Sequence, residues 1–292
     1  MSASATKQKT QIPDSHDAAV YELDEIWDSD WFPQSDHRRI RDLVSIVPAG
    51  AASLLDVGCG NGLFINTLNK ANSNVRPSRL YAADRSLSAL KHVEVEHCRC
   101  DISDLPFSDD EFEIVTCLEV VEHLPLAVYT AALSELSRVA ARWIMISVPF
   151  ELNLNESLCQ CPSCATRFNP DYHLRSFNAA KLRDLFREKG YAPTGTHFLG
   201  SSDEYVGYHR IRRIFNGEFL TTAQFPAFTI CPMCGYSEPD ALAGELARRR
   251  RTSENARPVG DPSRLRKLAS RLWPKRRRHT WIAVLFEKSS HR

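Results

Sequence analysis

Residues 54–64 read Leu-Leu-Asp-Val-Gly-Cys-Gly-Asn-Gly-Leu-Phe. Apolar residues lead into Asp56, three glycines then stand at alternate positions, and the apolar residues that follow can begin a helix. A strand that turns sharply into a helix needs small residues at the turn, because a side chain there would block the close approach of the backbone. The first N–H groups of the helix are then free to bind a polar ligand. The stretch therefore predicts a ligand-binding turn between a buried strand and a helix.

The rest of the chain alternates between strand-like and helical stretches. A helix is predicted from the glycine turn to about residue 69, an amphipathic helix near 40–47, and a third helix over 179–189. Strands are predicted at residues 53–57, 79–84, 93–100, 112–118, 141–148, 196–200 and 281–286. Strands that alternate with helices imply a parallel sheet joined by crossovers, so we expect an α/β fold.

The glycine spacing indicates the kind of ligand. Gly58, Gly60 and Gly62 read G-x-G-x-G, whereas dinucleotide enzymes use G-x-G-x-x-G, which disfavours a nicotinamide-dependent oxidoreductase. Asp84 follows Asp56 by 28 residues and ends a predicted strand, close to where a Rossmann fold places the carboxylate that binds ribose hydroxyls. The pattern resembles the first motif of class I S-adenosylmethionine (SAM) dependent methyltransferases.

A second segment carries the same resemblance. Residues 101–107, Asp-Ile-Ser-Asp-Leu-Pro-Phe, resemble the D-x-x-x-L-P-F segment of that family, whose acid binds the adenine amino group. The resemblance implies a Rossmann-like, mostly parallel sheet of seven strands with helices on both faces, and SAM as the cofactor. The cofactor-binding residues that it implies are Asp56, Gly58, Cys59, Gly60, Gly62, Asp84, Arg85, Asp101, Ile102 and Leu118.

The fourth strand leads into Glu-Val-Val-Glu-His-Leu-Pro at residues 119–125, which we call the Glu-His loop. It resembles the E-V-x-E-H segment of ubiquinone-type O-methyltransferases and of small-RNA 2′-O-methyltransferases. The resemblance implies catalytic roles for Glu119, Glu122 and His123, with His173 as a later partner.

Three interpretations of the Glu-His loop remain open from the sequence. The loop shapes the pocket and caps a helix, or His123 is the general base toward a substrate hydroxyl. In the third, the two glutamates and two histidines bind Mg²⁺ or Mn²⁺.

Nine cysteines without an apparent signal peptide favour thiols or metal ligands over disulfides. Cys161 and Cys164 form one C-P-x-C knuckle, and Cys231 and Cys234 form another. Together they supply the four thiolates of a structural Zn²⁺ site, with Cys159 as a spare or substitute ligand. Sixty-six residues separate the knuckles, so a redox pair and unrelated thiols are the alternatives. The region also resembles an insertion in a subset of bacterial class I methyltransferases, although Ala165 replaces its usual glycine.

The charge distribution is uneven. Residues 241–292 carry a net charge of +11, and the first 240 residues carry −10. A basic amphipathic helix is predicted over 264–278, with Leu265, Leu268, Leu272 and Trp273 on one face. Such a helix fits an anionic membrane surface, a nucleic acid or simply solvent.

No stretch approaches the roughly 18 apolar residues of a membrane-spanning helix, and Met1–Ser15 lack the apolar core of a signal peptide. We therefore expect a cytoplasmic protein, with peripheral contact at the inner face of the membrane as one hypothesis. Trp27, Trp31 and Phe32 either lie near the cofactor cleft or simply pack on the sheet.

These predictions divide the chain into six parts. Residues 1–18 are a disordered N-terminus, and residues 19–150 form the SAM-binding core with an N-terminal helical cover. Residues 151–178 insert the first knuckle, and residues 179–202 return to the core. Residues 203–279 insert the second knuckle and the basic helix, so both knuckles fall between strands five and seven. Residues 280–292 form the last strand and a tail.

The sequence predicts a SAM-dependent methyltransferase whose acceptor is a hydroxyl on a glycan, lipid-linked or small molecule. An RNA ribose 2′-O-methyltransferase is one alternative. A zinc-stabilised binding module without catalysis is another.

Overall fold

A computed structural model describes residues 17–27, 34–72, 74–155, 158–205, 225, 229–238 and 275–289. The strands are β1 (Ser53–Val57), β2 (Arg79–Asp84), β3 (Glu96–Arg99), β4 (Phe112–Leu118), β5 (Ala140–Pro149), β6 (Cys159–Gln160), β7 (Arg167–Phe168), β8 (Tyr191–Leu199), β9 (Ser202–Tyr205), β10 (Lys275–Arg278) and β11 (Trp281–Lys288). The helices are α1 (Ala18–Tyr21), α2 (Gln34–Ile46), α3 (Leu63–Asn69), α4 (Leu87–Leu90), α5 (Leu126–Val139) and α6 (Ala179–Arg183), with 3₁₀ turns at Asp24–Trp27 and Arg187–Lys189. No helix in these ranges has the length and apolar character to cross a membrane.

Seven strands form the central sheet in the order β3-β2-β1-β4-β5-β11-β8. Strand β1 pairs in parallel with β2 and β4, and β4 pairs in parallel with β5. Strand β11 runs antiparallel to both of its neighbours, β5 and β8. The predicted seven-stranded, mostly parallel sheet is therefore confirmed, and its parallel strands bring their carboxyl ends to one edge.

Apolar clusters cover both faces of the sheet. On one face, Leu136 of α5 and Leu182 of α6 are fully buried in the larger cluster. On the other face, Leu43 of α2 and Leu68 of α3 are fully buried. Burial of such side chains contributes roughly 1.5–3 kcal/mol each, so the two faces fix the sheet on which the site is built.

The predicted helix over 179–189 is interrupted. It is an α-helix at Ala179–Arg183 and a 3₁₀ turn at Arg187–Lys189, and the fully buried Phe186 lies between them. The Phe186 ring packs against Phe286 with centroids 5.2 Å apart, so a core contact overrides helical continuity here.

The predicted basic helix over 264–278 is wrong at its end, because residues 275–278 form β10. This strand pairs antiparallel with β9, and the register places Arg276 opposite Glu204 and Arg277 opposite Asp203. Residues 264–274 of the prediction lie outside the described residues.

A third, smaller apolar cluster lies away from the sheet. Its buried members are Val20, Cys159, Cys161, Phe168, Tyr172, Phe225 and Cys231. It therefore joins α1 to two segments, residues 158–172 and 229–238, that we together call the cysteine module. The hairpin of β6 and β7 lies in the first of these segments.

Candidate functional site

A cavity of about 350 Å³ opens where the carboxyl ends of β1, β2 and β4 meet. This volume is within the range of small-molecule sites. All of the predicted cofactor-binding residues line it except Gly62: Asp56, Gly58, Cys59, Gly60, Asp84, Arg85, Asp101, Ile102 and Leu118. Gly62 instead precedes α3 in a left-handed conformation (φ 75°), with the Asn66 amide against it.

The glycine turn approaches its neighbours too closely for side chains. Gly58 has φ 71°, and a Cβ atom there would lie 2.4 Å from Cγ2 of Val120. Gly60 has φ 55°, and a Cβ atom there would lie 2.9 Å from the Trp27 ring. Both conformations are also unfavourable for residues with a side chain. A side chain at either glycine would therefore displace Val120 or the Trp27 ring, both of which line the cavity.

Asp84 is fixed at the end of β2 by two backbone donors. Its Oδ2 accepts from Gly60 N–H and its Oδ1 from Ser86 N–H, each at 2.8 Å. Each oxygen keeps a further lone pair, so the carboxylate can still accept from a diol in the cavity. Burial raises the pKa of Asp84, and the backbone donors oppose that rise.

Asp56 lies in β1, two residues before the first glycine of the turn. It is 2% exposed, and its Oδ1 accepts from the Thr116 hydroxyl at 2.6 Å. Burial raises the pKa of Asp56 to about 7, since the low-dielectric surroundings disfavour the charged form.

Residues 17–27 lie against the cavity, and we call them the N-terminal cover. Tyr21 and Trp27 both line the cavity. The Tyr21 carbonyl accepts from Trp27 Nε1 at 2.8 Å and from Ser86 Oγ at 2.6 Å. The Asn61 side chain donates to the Trp27 carbonyl at 3.1 Å, which ties the cover to the glycine turn. The placement of Trp27 near the cleft is thus observed, whereas Trp31 and Phe32 lie outside the described residues.

Several lining residues were missed in the sequence, among them the polar residues Asp17, Tyr21 and Arg39. Little in the sequence indicates that these residues line the cavity, because they precede the motifs that identify the fold. Only the aromatic residues of the cover could have indicated that this segment reaches the cavity.

Glu119 stands at the start of the Glu-His loop with φ 59° and lines the cavity. Its Oε1 accepts from Ser147 Oγ at 2.8 Å and lies 3.5 Å from Nη1 of Arg39. Burial raises the pKa of Glu119, while the Arg39 charge and the serine hydrogen bond oppose it. Arg39 and Ser147 therefore hold the Glu119 carboxylate on the cavity wall.

Glu122, His123 and His173 form a separate group. One nitrogen or oxygen atom from each lies within 4.8 Å of the others, and the imidazole centroids are 4.6 Å apart. Glu122 is 1% exposed, yet within the described residues neither of its carboxylate oxygens has a hydrogen-bond partner, and neither does Nδ1 of His173. Burial raises the pKa of Glu122 and lowers that of His173.

The structure thus brings together three of the four predicted catalytic residues. His123 lines the cofactor cavity, and His173 lines a second cavity of about 210 Å³ beside Tyr172 and Pro232.

The four knuckle cysteines meet despite their separation in sequence. The Sγ atoms of Cys161 and Cys234 are 3.6 Å apart, as are those of Cys164 and Cys231. A tetrahedral Zn²⁺ with Zn–S distances of about 2.3 Å separates its sulfur ligands by about 3.8 Å, so the spacing fits that ion. Cys159 stands apart from this group, with its thiol 3.6 Å from the Phe168 carbonyl.

Comparison with known proteins agrees with this geometry. A family profile described as a methyltransferase domain matches residues 55–142. A ubiquinone biosynthesis O-methyltransferase of Hydrogenovibrio crunogenus is 32% identical over 78 residues, covering 25% of this chain and 32% of that protein. The protein of the same name from Alkalilimnicola ehrlichii is 29% identical over 124 residues, covering 38% of this chain and 50% of that one. The chain therefore spans a third to a half of the length of these curated relatives.

A solved structure supports the fold over nearly the whole chain. A chain in the complex that contains the Haloferax volcanii Trm112 methyltransferase activator superimposes with a TM-score of 0.52. The two are 14% identical, and the match covers 96% of this chain and 98% of the other. Residues 55–142 are thus similar in sequence to a methyltransferase domain, and the sheet order agrees with the fold of the solved structure.

Proposed function

We propose that the protein transfers a methyl group from SAM to a hydroxyl group of its acceptor. One observation carries this proposal: Asp84, the glycine turn and His123 line the same cavity. SAM, when bound, supplies a methyl group on a sulfonium centre, which a nucleophile can attack directly. The protein's contribution is then to position the acceptor and to exclude water.

The cavity wall fits the parts of SAM. The Asp84 carboxylate offers two acceptor oxygens to the ribose hydroxyls, and the glycine turn lies on the same cavity wall. Asp101 and Ile102 stand farther along the wall, after β3, where the adenine would bind.

His123 is the best-placed base for an acceptor hydroxyl. It lines the cavity, and its Nδ1 lies 3.5 Å from the Tyr21 hydroxyl. Its Nε2 lies 3.9 Å from Oε1 of Glu122. A neutral imidazole can take the hydroxyl proton as the new C–O bond forms, with Tyr21 fixing the ring.

A second candidate mechanism uses a divalent cation. In the part of the chain that the structure describes, the buried Glu122 oxygens and His173 Nδ1 have no hydrogen-bond partners, and such buried polar atoms normally have one. Either Glu122 carries a proton, or Glu122, His123 and His173 bind an ion such as Mg²⁺ or Mn²⁺ that polarises the acceptor hydroxyl. Glu119, the fourth predicted ligand, is instead paired with Arg39 and Ser147.

Glu122→Gln separates the two mechanisms, because the amide mimics the protonated acid but is a poor cation ligand. Base catalysis by His123 predicts that this variant keeps most of its kcat and that added Mn²⁺ changes nothing. Cation catalysis predicts a large loss of kcat, together with loss of Mn²⁺ binding in calorimetry.

We also propose that the four cysteines bind one structural Zn²⁺ per chain. The all-thiolate donor set and the sulfur spacing favour zinc. The ion would join two segments that are far apart in sequence and so contribute folding free energy.

The acceptor that we propose carries its hydroxyl on a glycan, lipid-linked or small molecule. The relatives named as ubiquinone biosynthesis O-methyltransferases support oxygen as the acceptor atom. The net charge of +11 over residues 241–292 supports an anionic or membrane-bound partner, with an RNA ribose hydroxyl as the alternative.

Calorimetric titration with S-adenosylhomocysteine (SAH), with zinc measured on the same sample, tests the proposal. Micromolar, one-to-one binding is expected, followed by methyl transfer to hydroxyl acceptors in a radiolabel assay. If folded, zinc-loaded protein does not bind SAH, the chain is a binding module on a methyltransferase fold.

A further inference from the structure

We propose that the cysteine module is a positioning element for the active site, so that Zn²⁺ at its four cysteines sets the affinity of the cofactor cavity and the place of His173. This inference rests on the proposed methyl transfer and the proposed zinc site. It goes beyond them, because it assigns the zinc site a role in cofactor binding rather than in folding alone. Two connections carry it, one through Tyr172 and one through Val20.

The first connection joins the second knuckle to His173. The Tyr172 hydroxyl donates to the Ile230 carbonyl and accepts from the Ile230 N–H, both at 2.9 Å. Ile230 directly precedes the proposed ligand Cys231, and His173 directly follows Tyr172. The position of the second knuckle is therefore transmitted through one buried side chain to the backbone of His173.

Tyr172 also has a backbone conformation that needs such support. Its φ is 59°, in the left-handed region that is strained for a residue with a large side chain. The chain that leaves it docks on the Glu-His loop, where Leu174 N–H donates to the Glu122 carbonyl at 2.9 Å. The Arg175 guanidinium donates to the Val121 carbonyl at 2.5 Å. The two histidines thus meet because this segment is held at both ends.

The second connection joins the cysteine module to the N-terminal cover. Val20 is 4% exposed and lies in the same apolar cluster as Cys161, Cys231 and Tyr172. Tyr21, the next residue, packs against that cluster and also lines the cofactor cavity. The N-terminal cover therefore packs against the cysteine module on one side and contacts the glycine turn on the other.

The apolar packing site of Val20 depends on the two knuckles staying together. The apolar cluster that contains Val20 takes members from both segments of the module, with Cys161 from the first and Cys231 from the second. Without the ion, four thiols within 4.8 Å provide little to hold segments that are 66 residues apart. Loss of Zn²⁺ is therefore expected to release both Val20 and Tyr172, which loosens the cover and displaces His173.

The test is calorimetric titration of SAH into the full chain before and after zinc removal with an organomercurial and a chelator. Zinc content and far-ultraviolet circular dichroism are recorded on each sample. The expected result is a dissociation constant for SAH at least tenfold higher in zinc-free protein that keeps its sheet signal, with recovery on adding Zn²⁺. An unchanged dissociation constant in such protein overturns the inference, and so does purified protein that holds and takes up no zinc. Failure of zinc-loaded protein to bind SAH would instead refute the proposed function.

Tyr172→Phe tests the inference if zinc-free protein does not fold. It removes only the hydroxyl that joins Tyr172 to Ile230. Tyr191→Phe is the matched control, because the Tyr191 hydroxyl also donates to buried carbonyls, those of Ser137 and Ala140, but in the core. We expect Tyr172→Phe to speed zinc release by about tenfold and to lower kcat more than it raises KM for SAM. Tyr191→Phe should lower the melting temperature and leave both quantities unchanged. Equal behaviour of the two variants would overturn the inference.

Discussion

The hydroxyl of Tyr21 lies 3.5 Å from Nδ1 of His123, across 102 positions of sequence. The ring of Tyr21 also meets that of His123 edge-on, with centroids 6.2 Å apart. The segment that closes the cofactor cavity therefore also touches the side chain that we propose as the base.

Tyr21→Phe should lower kcat by about tenfold and change KM for SAM by less than about twofold. The ring and the carbonyl of Tyr21 keep their contacts with Trp27 and Ser86, whereas the hydroxyl that orients His123 is lost. Steady-state kinetics across a range of pH would show the change. Tyr21→Ala is the companion variant, and it should also weaken SAH binding because the ring contact with Trp27 disappears. A kcat unaffected by Tyr21→Phe would contradict the orienting role.

Gly58→Ala should abolish measurable SAH binding, because the new Cβ atom would lie 2.4 Å from Val120. Gly190→Ala is the matched control, since Gly190 also has positive φ (79°) but, among the described residues, has no heavy atom within 4 Å of the added Cβ. Both variants should lose about 1–2 kcal/mol of stability from the left-handed conformation. Only Gly58→Ala should lose the cofactor, as measured by calorimetry. Comparable SAH affinities in the two variants would count against a tight glycine turn.

Asp56 should make the protein less stable as the pH rises from about 4 to 7. Its folded pKa is about 7, whereas an unfolded aspartate titrates near about 3.9. Between these values the folded chain binds the extra proton, so the unfolding free energy falls with rising pH and levels off above 7. Asp56→Asn keeps an oxygen for the Thr116 hydroxyl and carries no charge at any pH.

The measurement is urea unfolding of wild type and Asp56→Asn at a series of pH values. The unfolding free energy of wild type relative to the variant should drop by up to about 4 kcal/mol between pH 4 and pH 8. A difference that is constant across this range would show that Asp56 is ionised throughout.

Ala165→Gly should stabilise the zinc-loaded protein by about 1 kcal/mol. Ala165 follows the proposed ligand Cys164 with φ 59°, and Gly235 follows Cys234 with φ 73°. Gly235→Ala is the reciprocal variant, and it should cost a similar amount of stability because no atom of the described ranges lies within 4 Å of the added Cβ. Thermal unfolding of both variants, compared with the wild type, measures the predicted gain and loss of stability. A destabilised Ala165→Gly would contradict the assignment of strain to this turn.

The sheet and the meeting of the glycine turn, Asp84 and Asp101 at one cavity could be predicted because their signals are local. The glycine turn, Asp84 and Asp101 each follow a strand, and parallel strands bring such residues to one edge. The remaining features depend on contacts between distant residues. Glu119 and Glu122 are two glutamates of the same loop. Glu119 nevertheless pairs with Arg39 and Ser147 and does not join the group that contains Glu122.

The basic end was predicted as a helix from apolar spacing alone. Residues 275–278 are instead extended because residues 202–205, about 70 positions earlier, provide a partner strand. Likewise, no pattern within residues 17–27 shows that Tyr21 reaches His123. That contact joins residues 102 positions apart, and the N-terminal cover also packs against the cysteine module.

The position of β11 affects how the protein can be synthesised. This strand separates β5 from β8, so β8 has no neighbour in the sheet until residues 281–288 have left the ribosome. During translation of the long segment between β8 and β11, the edge of β5 is exposed and can pair with other chains. We therefore expect nascent chains stalled before residue 281 to depend on chaperones. Truncation at that point should yield aggregates rather than a smaller working enzyme.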